Sequence, residues 1–90
     1  MMILAVFRSR SQSLDFAERL KNYGIPSATV SAPKEVRIGC GLCVRFEERV
    51  FLRAQAILKT VGYSSFKGFY KIEFSGGRMQ ISPYQRTFSS

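Results

Sequence analysis

The chain has 90 residues, a length that supports one domain with a single small core. It carries 14 Lys and Arg against 6 Asp and Glu, and the formal charge of +8 favours an acidic partner or an anionic ligand. It has no histidine and only two cysteines, which excludes a histidine base, a histidine-ligated metal and a four-cysteine zinc site within one chain. No apolar run approaches the ~20 residues of a membrane-spanning helix, so no membrane role is expected.

The first part of the chain predicts a strand followed by a helix. The apolar run 3–7 is long enough for a buried strand and too short for a helix, and it lacks the features of a secretory signal. Apolar residues then recur every three or four positions over 14–23, and Ser9 is one of three serines able to cap a helix there. Gly24 and Pro26 are expected to end this helix.

The next part of the chain predicts three further strands and a second helix. Alternation of apolar and polar residues indicates strands at 28–32, 42–47 and 66–74, the second of them with one solvated face. An apolar stripe at helical spacing over 50–61 ends at Gly62. The order β-α-β-β-α-β predicts an α+β, ferredoxin-like sandwich, in which two helices cover one face of a four-stranded antiparallel sheet.

Residues 1–74 are therefore predicted to form a single domain. Residues 75–90 contain Gly, Ser and Pro without periodicity and are predicted to be a mostly flexible tail, in which Ile81, Tyr84 and Phe88 are able to dock on the domain. The aromatic residues Phe16, Tyr23 and Phe51 are assigned to packing, and Phe46 to the core, since it alternates with other apolar residues.

Both cysteines lie between the second and third predicted strands, in the run Gly39-Cys40-Gly41-Leu42-Cys43. Cys40 falls in a turn between two glycines, which leave a thiol sterically uncovered. The alternative is a small residue that only fills a tight turn. Cys43 is predicted to be an ordinary strand residue, although the C-x-x-C spacing leaves a redox role for the pair open.

Three cations near Cys40 in sequence, Lys34, Arg37 and Arg45, can favour the thiolate form, which is both the nucleophile and the soft ligand. With no secretory signal and no disulfide framework, both thiols are expected to be reduced and the protein to be cytoplasmic.

The order of several short motifs resembles that of a small bacterial family of selenium/sulfur carrier protein-like domains. The matching positions are Phe7 and Ser9, Ile25-Pro26, Pro33 and Glu35, Gly39-Cys40-Gly41, and Arg45-Phe46. The resemblance extends over about residues 3–74. The chain departs from the family pattern at Arg10, Ala32, Lys34, Arg37 and Ile38. Lys34 keeps the positive charge of the family's arginine but loses its bidentate hydrogen bonding.

The resemblance implies that Cys40 carries a persulfide or selenide, which a donor protein loads and an acceptor protein removes. It implies a carrier rather than a stand-alone enzyme, with no cofactor and no bound metal. The positions expected to support Cys40 are Pro33, Lys34, Arg37, Gly39 and Gly41, with Ser9, Cys43 and Arg45 in secondary roles.

Two other functions stay open. A basic ferredoxin-like domain can bind RNA or an acidic protein through the open face of its sheet, although the strands lack the aromatic signature of RNA-binding sheets, so nucleic acid is the less favoured partner. The two cysteines can also serve thiol redox chemistry or metal handling, with a second chain completing the ligand set. The sequence does not indicate an oligomeric state.

Overall fold

A computed structural model describes residues 1–36 and 41–85 of the chain. The elements in chain order are β1 (Met2–Phe7), α1 (Arg10–Asn22), β2 (Ala28–Ser31), β3 (Leu42–Glu47), α2 (Phe51–Val61), β4 (Phe66–Ser75) and β5 (Arg78–Pro83). Short 3₁₀ turns occupy Lys34–Val36 and Glu48–Val50. Within these described ranges, neither helix has the length and apolar character needed to cross a bilayer.

The strands form one five-stranded sheet in the order β2-β3-β1-β4-β5, and all neighbouring strands are antiparallel. The α+β class with two helices and an antiparallel sheet is thereby confirmed. The predicted four-stranded, ferredoxin-like sheet is corrected to a five-stranded sheet, because β5 pairs with β4 from Tyr70↔Pro83 to Ser75↔Arg78.

The fifth strand lies inside the segment 75–90 that was predicted to be a tail, so that prediction is wrong for Arg78–Pro83. Gly76 and Gly77 have φ angles of +59° and +77°. A two-residue turn with positive φ at both positions matches the right-handed twist of a hairpin, and glycine adopts it without steric cost. The chain therefore reverses at these glycines and pairs with β4. Residues 86–90 lie outside the described part of the chain.

The helices begin and end at residues whose chemistry explains the boundaries. Ser9 is the N-cap of α1, where its side chain accepts a hydrogen bond from Gln12 N–H at 3.3 Å. The Gln12 side chain in turn accepts from the Ser65 N–H at 2.9 Å, which ties the first turn of α1 to the chain just before β4. Gly62 ends α2 with φ +71°, the left-handed stop that the sequence predicted.

Both helices pack on one face of the sheet and share a single apolar cluster with it. The buried members of this cluster are Ile3, Ala5, Phe7, Phe16, Leu20, Ile25, Val44, Phe46, Val50, Phe51, Ala54, Leu58 and Phe69. Phe16, Phe46 and Phe51 are thus core residues, as predicted. Tyr23 is 66% exposed and was wrongly assigned to packing, because it lies one residue beyond the end of α1.

The opposite face of the sheet is also buried near its centre, although neither α1 nor α2 covers it. Leu4, Val6 and Cys43 form a second cluster with Ala32 and Val36, which belong to the segment after β2. The solvated face predicted for β3 is therefore wrong at Cys43, which is 0% exposed. Ala32 and Val36 thus take part in covering this face of the sheet.

We expect Phe51→Ala to lower the free energy of unfolding by about 3–5 kcal/mol, because it removes a fully buried ring from the centre of the helix-side cluster. The Phe51 ring lies 4.8 Å from the Phe69 ring, centroid to centroid. Phe74→Ala is the matched control, since Phe74 is 77% exposed, and it should change the free energy by less than about 0.5 kcal/mol. Urea denaturation measures both. Equal losses in the two variants would contradict this packing.

Candidate functional site in the segment between β2 and β3

The segment that carries the predicted reactive thiol joins β2 to β3. Arg37, Ile38, Gly39 and Cys40 lie outside the described residues, so the predictions for these positions are not tested by the structure. Its described parts are residues 32–36, which follow β2, and Gly41, which precedes β3. The site is therefore built from these two ends and from the elements that hold them.

A backbone hydrogen bond closes the segment at its base. The N–H of Ala32 donates to the carbonyl oxygen of Gly41 at 2.7 Å, directly beyond the last register pair of β2 and β3, Ser31↔Leu42. Closing a loop costs conformational entropy, and a bond at its base together with burial of its residues offsets that cost. The two ends of the cysteine-bearing segment are thereby held next to each other.

The first half of the segment forms a 3₁₀ turn that has one apolar and one charged side. The Val36 N–H donates to the Pro33 carbonyl at 3.0 Å, and the Val36 side chain is buried against the sheet. Pro33 is half-buried, whereas Lys34 and Glu35 are exposed. Since proline fixes its own φ angle, Pro33 sets the direction of the chain as it enters the turn. The turn thus places Val36 on the sheet and Lys34 in solvent.

Gly41, at the other end of the segment, has a φ angle of +73°. This left-handed conformation is unfavourable for residues with a Cβ atom, so the position favours glycine. Gly41 is half-buried and is joined by its peptide bond to Cys40. Glycine is therefore favoured at position 41 because of its backbone conformation, in addition to the small size that the sequence indicated.

The first turn of α1 supports the same end of the segment. The Ser13 hydroxyl, fully buried, donates to the carbonyl oxygen of Leu42 at 3.1 Å, one residue after Gly41. Ser13 was considered only as a possible N-cap, a role that Ser9 takes instead. The signal that identifies Ser13 is its spacing of three and seven residues before Phe16 and Leu20, which places it on the buried side of the helix.

Cys43 and Arg45 have different environments on β3. Cys43 is opposite Val6 of β1 and Val30 of β2, inside the cluster beneath the segment. Arg45, two residues further on, lies on the same face of the sheet and is exposed. Among the described residues, neither Arg45 nor Lys34 takes part in an ion pair. Both cations are therefore available to an incoming anionic group.

A separate polar cluster joins Asp15 and Arg19 of α1 to Tyr63. Asp15 accepts hydrogen bonds from the Tyr63 hydroxyl at 2.6 Å and from Arg19 Nε at 2.8 Å, and these lower the pKa of Asp15. Burial, followed by the bond to Asp15, raises the pKa of Tyr63. This cluster joins α1 to the residue after Gly62 and has a structural role. The described residues hold no group of three or more His, Cys, Asp or Glu side chains arranged for a metal ion.

We expect Gly41→Ala to lower the free energy of unfolding by about 1–2 kcal/mol, because alanine is forced into the left-handed region. Gly41→Asn should cost less, since asparagine enters that region more readily than other residues with a side chain. Thermal or urea unfolding of the parent and both variants provides the comparison. An alanine variant as stable as the parent would show that the segment does not require this backbone conformation.

A family model matches most of the chain. The family model described as "Putative Se/S carrier protein-like" matches residues 2–71, which include β1 to β3, both helices, the segment 32–41 and the first half of β4. No curated protein and no solved structure shows significant similarity to the chain. The family name indicates a carrier of selenium or sulfur. The match extends over more than half of the chain, and the chain therefore belongs to the Se/S carrier protein-like family.

Proposed function

We propose that this protein carries sulfur or selenium as a persulfide or selenide on Cys40 and passes it between partner proteins. In the loading step, the Cys40 thiolate attacks the outer sulfur of a donor persulfide and forms a new S–S bond, and the donor leaves as a thiolate. In the unloading step, an acceptor thiolate attacks the outer sulfur on Cys40 and releases the Cys40 thiolate. Each step exchanges one S–S bond for another, so no external oxidant or reductant is needed. Selenium follows the same route when it is the outer atom on the donor, with one S–Se bond exchanged for another.

The observation that carries the proposal is the contrast between the two cysteine positions. Cys43 is 0% exposed within an apolar cluster, where a partner's thiolate cannot reach it. Cys40 is bonded to Gly41, whose carbonyl oxygen accepts a hydrogen bond from the Ala32 N–H. The carbonyl of the next residue, Leu42, accepts a hydrogen bond from the Ser13 hydroxyl. A carrier thiol must meet both a donor and an acceptor, and the buried Cys43 thiol can meet neither, which supports Cys40 as the carrier.

The chemistry further requires a thiolate at neutral pH and groups that stabilise an anionic persulfide. Lys34 is exposed on the turn that starts the segment, and Arg37 follows it by three residues. Positive charge near a cysteine favours the thiolate, and the same charge stabilises the terminal sulfur anion of a persulfide. We therefore assign Lys34 and Arg37 to this role, with Gly39 and Gly41 leaving the sulfur accessible.

The RNA-binding alternative has less support from the geometry. Sheets of this kind that bind RNA stack bases on aromatic side chains of their central strands. Here the residues at the centre of the open face are Leu4, Val6 and Cys43, which are buried beneath the segment and not aromatic. The redox or metal-handling alternative has less support as well, since it needs Cys43 to be accessible to a second thiol or to a ligand from another chain.

Mass spectrometry of the protein isolated without reductant tests the proposal. We expect a fraction of the molecules to carry one additional sulfur or selenium atom, located by peptide mapping on Cys40 and removed by a thiol reductant. Cys40→Ser should abolish the adduct, whereas Cys43→Ala, the matched control, should retain it. An adduct on Cys43, or a Cys40→Ser variant that still carries the extra atom, would show that Cys40 is not the carrier.

A further inference from the structure

The β4–β5 hairpin presents a row of apolar side chains on the face of the sheet opposite the helices. Three register pairs make up this apolar ladder: Tyr70↔Pro83, Ile72↔Ile81 and Phe74↔Met79. Alternate residues of a strand lie on the same face, and Tyr70, Ile72 and Ile81 pack against the cluster of Leu4 and Val6. The ladder is therefore on the same face as the segment that carries Cys40.

The outer end of the apolar ladder is exposed to solvent. Phe74 is 77% and Met79 is 41% exposed, although they are direct cross-strand partners. Exposed apolar side chains that adjoin one another mark interaction sites more often than isolated ones do, and aromatic residues and methionine are enriched at such sites. The ladder is continuous with the buried cluster under Ala32 and Val36. Phe74 is six residues beyond Gly68, the register partner of Val6, so a partner must extend about 20 Å along the sheet to contact both Phe74 and the segment beside Val6.

The charges on the ladder's face of the sheet are unbalanced in one direction. Glu47, the carboxylate of β3 on this face, is already paired with Arg49 at 2.8 Å. Arg45, two residues earlier on β3 and on the same face, forms no ion pair with another described residue. The charged residues Lys71, Glu73 and Arg78 alternate with the ladder residues and lie on the other face.

Arg45 and Tyr70 share Leu4 as their register partner, which separates their backbones by two strand spacings, or about 10 Å. An occupant of the ladder therefore meets apolar side chains beside an uncompensated positive charge.

We propose that the apolar ladder docks an acidic surface of a partner protein that presents apolar side chains. This proposal rests on the carrier function, since that partner is the donor or acceptor of the sulfur atom. A second copy of this chain is a poorer occupant, because each copy has a net charge of +8 and brings its own unpaired Arg45 to the contact. Acidic groups on the partner compensate Arg45, and its apolar groups cover Phe74 and Met79.

The test uses a fluorescent peptide of twelve residues in which glutamate and leucine alternate, with fluorescence anisotropy as the readout. We expect saturable binding that weakens with added salt, because part of the attraction is between charges at the surface. The double change Phe74→Ser with Met79→Ser should weaken binding by about tenfold or more. Arg45→Gln should weaken it and reduce its dependence on salt.

Tyr23→Ser is the matched control, since Tyr23 is equally an exposed aromatic residue but lies at the end of α1. It should leave binding unchanged, as should Cys40→Ser, which separates this result from the outcome of the carrier experiment. Equal binding of a peptide with lysine in place of glutamate would overturn the proposal, and so would unchanged binding by the Phe74 and Met79 variant. Sedimentation analysis that finds a dimer lost in that variant, or an oligouridine RNA whose binding is lost in it, would assign the ladder to those occupants instead.

Discussion

A backbone hydrogen bond from the Ala32 N–H to the Gly41 carbonyl, 2.7 Å long, closes the segment between β2 and β3. With the segment closed in this way, Val36 packs on the face of the sheet that no helix covers and buries Leu4 and Val6. Burial of apolar side chains of this size stabilises the fold by about 1.5–3 kcal/mol for each. The same contact that completes the core therefore fixes the two ends of the cysteine-bearing segment, so stability and function depend on one local arrangement.

The two cysteines are separated by only two residues, and the structure buries the second of them. Cys43 is part of the second apolar cluster and has a structural environment. Cys40 comes after the turn in which Lys34 is exposed. It directly precedes Gly41, which has the left-handed conformation. In the proposed carrier, the sheet supplies a rigid support, the segment presents the thiol, and the β4–β5 hairpin extends the same face toward a partner. Catalysis by the protein itself is not required, because the donor and acceptor supply the other sulfur atoms.

The sequence predicts local structure well where a single pattern determines it. The apolar stripe and Gly62 locate α2, and the alternation over 42–47 locates β3 with its bounds. The sequence predicts the structure poorly where contacts between residues far apart in the chain determine burial or strand pairing. Nothing in the alternation of β3 indicates that Val36 and Ala32 cover Cys43, and β5 was missed because its exposed apolar residues were interpreted as part of a tail. Ser13 was missed as a support for Leu42, since its role depends on a contact 29 residues away in sequence.

Transfer of isotopically labelled sulfur tests the central claim most directly. The purified, reduced protein is mixed with cysteine persulfide that carries the label in its outer sulfur, and quenched samples are mapped by mass spectrometry. The account predicts that the label appears first on Cys40, that it does not accumulate on Cys43, and that it passes to an added acceptor thiol while the Cys40 thiol is regenerated. Labelling of Cys43, or equal labelling of a Cys40→Ser variant, would contradict the assignment of Cys40 as the carrier.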